Sequence, residues 1–180
     1  METQELLDAL NRMEKLHHHK NYQLKGVLGA NQLPSCGFSL EPGDYLIVNT
    51  DPIEDKGTHW LAIYCYHQQE ADGRELPQQQ QKVVEIFDSY GYRLDTYPVI
   101  KQFIIDRCTT DSQLEGFLIR KNDGQIQEED STVCGAHCLL YLALRLYYQL
   151  TMSDIIDKIY SDNLALNDCL ALVHYNALML

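Results

Sequence analysis

Residues 131–150 read STVCGAHCLLYLALRLYYQL, a short polar stretch followed by a long apolar one. The apolar stretch predicts a helix over 133–150 that is hydrophobic nearly all round, as expected at the centre of a domain. Cys134 lies where the polar residues meet this helix. The unpaired N–H groups and the dipole of a helix start favour an anion, so a thiol there tends toward thiolate. Cys134 is therefore a candidate nucleophile, and a buried helical cysteine is the alternative interpretation.

Two neighbours of Cys134 in the helix, Gly135 and Cys138, have different predicted roles. Gly135 has no side chain and would permit close approach of a substrate backbone. Cys138 follows one turn later and is interpreted as a core residue. The six cysteines contain no CxxC pair, which argues against a structural zinc site. The acidic, amphipathic start of the chain does not resemble a signal peptide, so we expect free thiols in a reducing compartment.

A histidine lies at the start of a predicted strand in the motif GTHW (57–60). His59 could reach a cleft from this strand end while being held rigidly, and it is the candidate general base. A half-buried strand histidine without chemistry is the alternative. Trp60 faces the opposite side by strand alternation, which predicts a role in the core or in the wall of the cleft.

An aspartate lies at the end of the next predicted strand, in FDSYG (87–91). If a hairpin joins the two strands, Asp88 and His59 fall at compatible ends, and Asp88 could fix the tautomer of His59. Asp-Ser-Tyr-Gly is also good turn chemistry, so a plain turn is the alternative. Asp72-Gly73 between the strands is typical of such a hairpin.

Gln127 precedes Cys134 with six residues between them. A glutamine amide near a nucleophile can donate to the oxyanion of a tetrahedral intermediate. Gln125, two residues earlier, is a rival donor.

The remaining elements predict an α+β layer fold in a single domain over 1–180. It divides into an N-terminal helix and histidine run (1–20), a sheet region with the histidine and the acid (21–131), and a helical region with the nucleophile (132–180). Helices are predicted over 3–17 and 97–107, near Ser153 and from about 163 to 180; strands over 45–48, 59–66, 83–87 and 116–120; and an irregular packed segment over 21–43. His17, His18 and His19 are interpreted as a solvated helix end, and no metal site is predicted.

Charge and hydropathy exclude several classes of protein. The chain has 180 residues with 14 basic and 26 acidic ones, a net charge of −12 and no Lys/Arg run. This composition argues against a nucleic-acid partner. No apolar run approaches the ~18 residues of a membrane span. We therefore expect a monomer without membrane attachment, in the cytoplasm, the nucleus or a virion and not secreted.

As a set, these motifs resemble the adenovirus-type cysteine proteases (adenain), including the related enzymes of Polinton/Maverick elements within the ubiquitin-like protease superfamily. Those enzymes share the order His-Trp, acid at the end of the next strand, Gln and Cys-Gly. The Gln-to-Cys spacing is similar to that of the adenoviral branch, as is the second cysteine. The matching positions are His59-Trp60, Asp88, Gln127, Cys134-Gly135 and Cys138, and the segments LKGVLGANQLP (24–34) and YLIVNT (45–50) resemble lead-in segments of the Polinton-type branch.

The resemblance implies a papain-like architecture of the adenain type, with a mixed central sheet packed against helices and the nucleophile at the start of a buried helix. It also implies a cysteine endopeptidase with His59, Asp88 and Cys134 as triad and Gln127 as oxyanion donor. Trp60 and Gly135 would line a narrow cleft that prefers glycine near the cut, as in viral or transposon structural-protein precursors.

Two departures from the adenoviral pattern bear on this expectation. The acid is Asp88, where adenoviral enzymes typically have Glu, although Asp is normal in the superfamily. The chain is acidic, whereas the adenoviral enzyme is basic and uses DNA as a cofactor, so we expect no cofactor and no DNA requirement here. The sequence leaves activation by a peptide open. A deconjugating protease for ubiquitin or SUMO-type proteins, and a catalytically silent interaction protein of the same fold, are the alternative functions.

Overall fold

The structure is a computed structural model, and it describes residues 1–17, 21–54, 58–68, 81–108 and 117–180. Gly57, the Asp72-Gly73 turn, His18 and His19 lie outside the described residues. The helices are α1 (Thr3–His17), α2 (Pro98–Cys108), α3 (Cys134–Leu146), the single turn α4 (Met152–Asp154), which continues as a π-helical turn (Ile155–Ile159), and α5 (Leu164–Met179). The strands are β1 (Gln23–Gly29), β2 (Asp44–Asn49), β3 (Trp60–His67), β4 (Lys82–Phe87) and β5 (Leu118–Lys121).

The five strands form one mixed sheet in the order β1-β2-β3-β4-β5. The central pairs β2–β3 and β3–β4 are antiparallel, and the outer pairs β1–β2 and β4–β5 are parallel. The α+β architecture with a mixed central sheet, expected from the sequence, is confirmed.

Helices cover both faces of the sheet, which explains why β2 is buried along its whole length. One face packs against α1 and α3, which in turn pack against α5, and Tyr45, Ala62 and Phe87 belong to the apolar core on this side. The other face packs against α2 and contains Leu46 and Ile63. The site described below lies on the first side, where α3 packs against β3.

One prediction about the sheet was wrong. The segment 21–43, expected to be irregular, contains β1 and a 3₁₀ turn (Ala30–Ser35). The register shifts between Leu24 and Gly26, and Gly26 has a φ of +139°. This bulge interrupts the alternation of apolar and polar residues by which a strand is recognised in a sequence.

Helix α3 begins at Cys134, as the change from polar to apolar residues predicts, but it ends at Leu146 and not near residue 150. Gln149 beyond it has a φ of +55°, a left-handed conformation that no residue inside a helix adopts. Cys134 therefore lies at the first position of the most buried helix of the described residues.

Candidate active site

The antiparallel pairing of β3 with β4 brings a histidine and an aspartate together. His59 directly precedes β3, and Asp88 directly follows the last residue of β4. The Nε2 atom of His59 donates to Oδ1 of Asp88 at 2.7 Å. The carboxylate of Asp88 is fully buried, and His59 is 5% exposed. The structure thus places these two predicted site residues in direct contact.

The ring of His59 also interacts with the nucleophile candidate. Nδ1 is buried and makes no hydrogen bond to a described residue, while the side chain of Cys134 lies close enough to affect the protonation of the ring. Burial acts to lower the pKa of His59, but the hydrogen bond to Asp88, together with Cys134, raises it to about 9. A ring with this pKa is protonated on both nitrogens at neutral pH, and its Nδ1–H is available to donate to an anion.

Asp88 is fixed on every side. Its Oδ1 also accepts from the backbone N–H of Tyr90 at 2.9 Å, and its Oδ2 accepts from the hydroxyl of Tyr97 at 3.1 Å. Asn122 bonds both to the backbone N–H and to the carbonyl of Asp88. Burial works against the charged carboxylate, but His59 and Lys121 lower the pKa of Asp88 below its ordinary value. The carboxylate therefore stays ionised inside the protein.

Gln127 lies in the loop between β5 and α3 and is fully buried. Its Nε2 donates to the carbonyl of Ser131 at 2.8 Å and to the hydroxyl of Tyr90 at 3.2 Å. The ring of Tyr90 packs against the ring of His59 with centroids 4.7 Å apart, so Gln127 and His59 are linked through one side chain. The rival Gln125 is exposed, and its side-chain amide donates to the backbone carbonyl of Gln127 at 2.8 Å.

Two residues predicted to line the cleft lie against the start of the chain. A Cβ on Gly135 would come within 2.9 Å of Met1 Sδ and 3.2 Å of Leu6 Cδ2, so a larger residue there would displace the side chain of Met1. Trp60 is 3% exposed and donates from Nε1 to the carbonyl of Met1 at 3.2 Å. A role in lining the substrate cleft stays a prediction for both.

The second cysteine of α3 differs from the first. Cys138 is fully buried, and its thiol donates to the backbone carbonyl of Trp60 at 3.4 Å. Burial raises its pKa well above that of an ordinary thiol. This confirms the interpretation of Cys138 as a core residue.

Sequence reasoning missed Tyr97 and Asn122, which hold Asp88, because neither belongs to a motif near it. It also missed a second buried pair, in which His137 Nε2 lies 2.8 Å from Asp168 Oδ1 and His137 Nδ1 lies 3.1 Å from the hydroxyl of Tyr160. The signal was available: a histidine inside an apolar helix needs polar partners.

A broad groove of the described residues has none of His59, Asp88, Gln127 and Cys134 in its lining. It has a volume of about 1350 Å³ and is lined in part by Tyr64, Tyr66, Glu85 and Arg145. Its buried charges pair with each other, since Arg145 Nε donates to Glu85 at 2.5 Å. We locate the functional site by the arrangement of ionisable groups and not by the size of the groove.

The mixed sheet with α3 packed against it has the α+β fold of a class of cysteine proteases. The sequence profile of the family described as adenovirus endoprotease matches residues 37–177, and the chain belongs to that family. No curated protein sequence matches the chain.

Two solved structures resemble the chain at low sequence identity. The ASFV pS273R protease has a TM-score of 0.53 at 13% identity, over 88% of this chain and 62% of that protein, so the chain spans less than two thirds of its length. The central domain of the uncharacterized Lpg1148 protein from Legionella pneumophila has a TM-score of 0.50 at 14% identity, over 99% of this chain and 98% of that domain. These similarities support the fold.

Proposed function

We propose that this chain is a cysteine endopeptidase with Cys134 as nucleophile, His59 as general base, Asp88 as orienting acid and Gln127 as oxyanion donor. The observation that carries the proposal is the arrangement of His59. One ring nitrogen is bonded to a buried aspartate at 2.7 Å, and the other is buried without a hydrogen bond to a described residue. Cys134 interacts with the same ring.

The mechanism follows from the roles of these groups. Before substrate binds, the proton of the Cys134 thiol rests on Nδ1 of His59, so the site holds a thiolate and an imidazolium. Asp88 keeps its charge and stabilises the imidazolium without accepting the proton. The thiolate attacks a peptide carbonyl, and the negative charge that develops on its oxygen is held by a Gln127 N–H and the backbone N–H of Cys134. The imidazolium protonates the leaving amine, and water then hydrolyses the acyl-enzyme.

Gln127 must change one partner for this step. Of its two amide hydrogen bonds, the one to the Ser131 carbonyl is short, at 2.8 Å, and the one to the Tyr90 hydroxyl is longer, at 3.2 Å. Tyr90 is half-buried and lies close enough to Cys134 for the two to interact electrostatically. In the proposed mechanism, the N–H that donates to Tyr90 in the free protein turns to the oxyanion.

Access to the nucleophile is restricted, which bears on the substrate. Cys134 is 6% exposed, and the ring of Tyr90 packs against His59 beside it. A narrow entrance of this kind suits a substrate with no side chain at the scissile bond. We propose a glycine-containing protein precursor of viral or transposon type as substrate, and a ubiquitin-like fusion as the rival to test beside it.

Selective alkylation tests the nucleophile. At pH 6, iodoacetamide reacts slowly with ordinary thiols because they are protonated, but it reacts with an activated one. We expect Cys134 to be labelled first, ahead of Cys169, which is exposed and serves as the internal control. Cys134→Ala should lose both this label and the hydrolysis of a glycine-containing peptide. Faster labelling of Cys169, or activity above a few per cent in Cys134→Ala, would overturn the assignment.

A further inference from the structure

The amide of Gln127 has a defined orientation. The carbonyl of Ser131 can only accept a hydrogen bond, so the nitrogen of the Gln127 amide faces it, at 2.8 Å. The amide oxygen Oε1 then points the opposite way and accepts from the hydroxyl of Ser89 at 2.7 Å. With both ends fixed, the second N–H points toward Tyr90, on the side of the site where Cys134 lies.

Ser89 holds this glutamine by its main chain as well as by its side chain. Its carbonyl accepts from the backbone N–H groups of Ile126 at 2.8 Å and Gln127 at 3.1 Å. Ser89 is fully buried and directly follows Asp88, whose main chain is fixed by Asn122. One residue at the end of β4 therefore joins the acid of the proposed triad to the proposed oxyanion donor.

The orientation of the amide decides its chemical effect. A glutamine presents an N–H to an oxyanion in one orientation and an oxygen, which repels it, after half a turn. Without the Ser89 hydroxyl, the buried Oε1 would lack its only hydrogen-bond donor seen among the described residues. A buried carbonyl without a donor favours rotation of the group toward any other partner.

We propose that Ser89 is a positioning residue that fixes the orientation of the Gln127 amide and thereby the polarity of the oxyanion site. The inference rests on the proposed function. It assigns Ser89 no contact with substrate: the residue acts through Gln127, and only in the transition state.

A double-mutant cycle tests the assignment. Ser89→Ala should lower kcat about tenfold and leave KM within about twofold. The reason is that the Gln127 amide donates to the oxyanion, which exists only in the transition state. In the Gln127→Ala background, which itself should lose about 10²–10³-fold in kcat, Ser89→Ala should cost no more than about twofold. Gln125→Ala, which removes a side chain of the same loop without touching the amide, should stay within about threefold.

The outcomes separate this inference from the proposed function. Wild-type kcat in Ser89→Ala, or a tenfold loss that persists in the Gln127→Ala background, overturns the role of Ser89 alone. Wild-type turnover in Gln127→Ala overturns the proposed function of that residue instead. If Ser89→Ala does not fold, Ser89→Cys fills nearly the same volume with a weak donor, and wild-type kcat in that variant also overturns the inference.

Discussion

Two histidines of this molecule each bond from Nε2 to a buried aspartate, His59 to Asp88 at 2.7 Å and His137 to Asp168 at 2.8 Å. The pairs differ at the other ring nitrogen. Nδ1 of His137 lies 3.1 Å from the Tyr160 hydroxyl, whereas Nδ1 of His59 has no hydrogen-bond partner among the described residues. A His–Asp pair is poised for proton transfer only when its second nitrogen is left for a reacting group.

The two histidines also differ in their pKa and therefore in their charge at neutral pH. Burial dominates at His137 and lowers its pKa, despite Asp168. At His59 the hydrogen bond to Asp88 and the nearby Cys134 outweigh burial and raise the pKa to about 9. At neutral pH we therefore expect a neutral His137 that locks α3 to α5, and a charged His59 that can stabilise a thiolate.

Replacing each histidine should give the largest contrast. His59→Ala should lower kcat/KM by about 10⁴-fold or more while the protein stays folded, because the thiol loses its base. His137→Ala should lower the free energy of unfolding by about 3 kcal/mol or more, because it leaves Asp168 buried without its partner. Kinetics and urea unfolding of both variants make the comparison. An inactive but fully stable His137→Ala would contradict the division of roles.

Replacing the two aspartates should give the next largest difference in kcat. Asp88→Asn should lower kcat by about 10²–10³-fold, less than the roughly 10⁴-fold known for a serine triad, since a thiol needs less help to ionise. Asp168→Asn keeps an oxygen that can accept from His137, and it should change kcat less than about twofold. Steady-state kinetics on one peptide measures both. Unchanged turnover in Asp88→Asn would make Asp88 a turn residue, as one interpretation of the sequence allowed.

The pH dependence sharpens the comparison further. If the active form has His59 protonated, kcat/KM should fall as the pH rises through about 9, where the imidazolium loses its proton. Asp88→Asn removes the carboxylate, the stronger of the two groups that raise this pKa, so the alkaline limb should move down by about one pH unit or more. Asp168→Asn should leave the limb in place. A limb that does not move in Asp88→Asn would show that another group sets it.

The sequence could predict those site residues that a local motif marks. It could not predict contacts between residues that are far apart in the chain. Cys134, His59 and Asp88 lie at a helix start and at two strand ends, which composition and turn signals mark. Ser89 and Gln127 are 38 residues apart, and His137 and Asp168 are 31 apart, so no local pattern shows that they meet. The strand β1 was missed because a bulge interrupts its alternation.

The smallest expected effects come from one hydroxyl beside each pair. Tyr97 donates to Asp88 Oδ2, and Tyr160 bonds to His137 Nδ1, each at 3.1 Å. Tyr97→Phe should lower kcat about two- to tenfold, because one ordinary hydrogen bond to the orienting carboxylate is lost. Tyr160→Phe should leave kcat unchanged and lower the free energy of unfolding by about 1–2 kcal/mol, since His137 loses a buried partner. Both substitutions keep the ring and delete the same atom, so each is the control for the other. Equal losses of kcat in the two variants would mean that the pairs are coupled through α3, and that His137 supports the reaction as well as the fold.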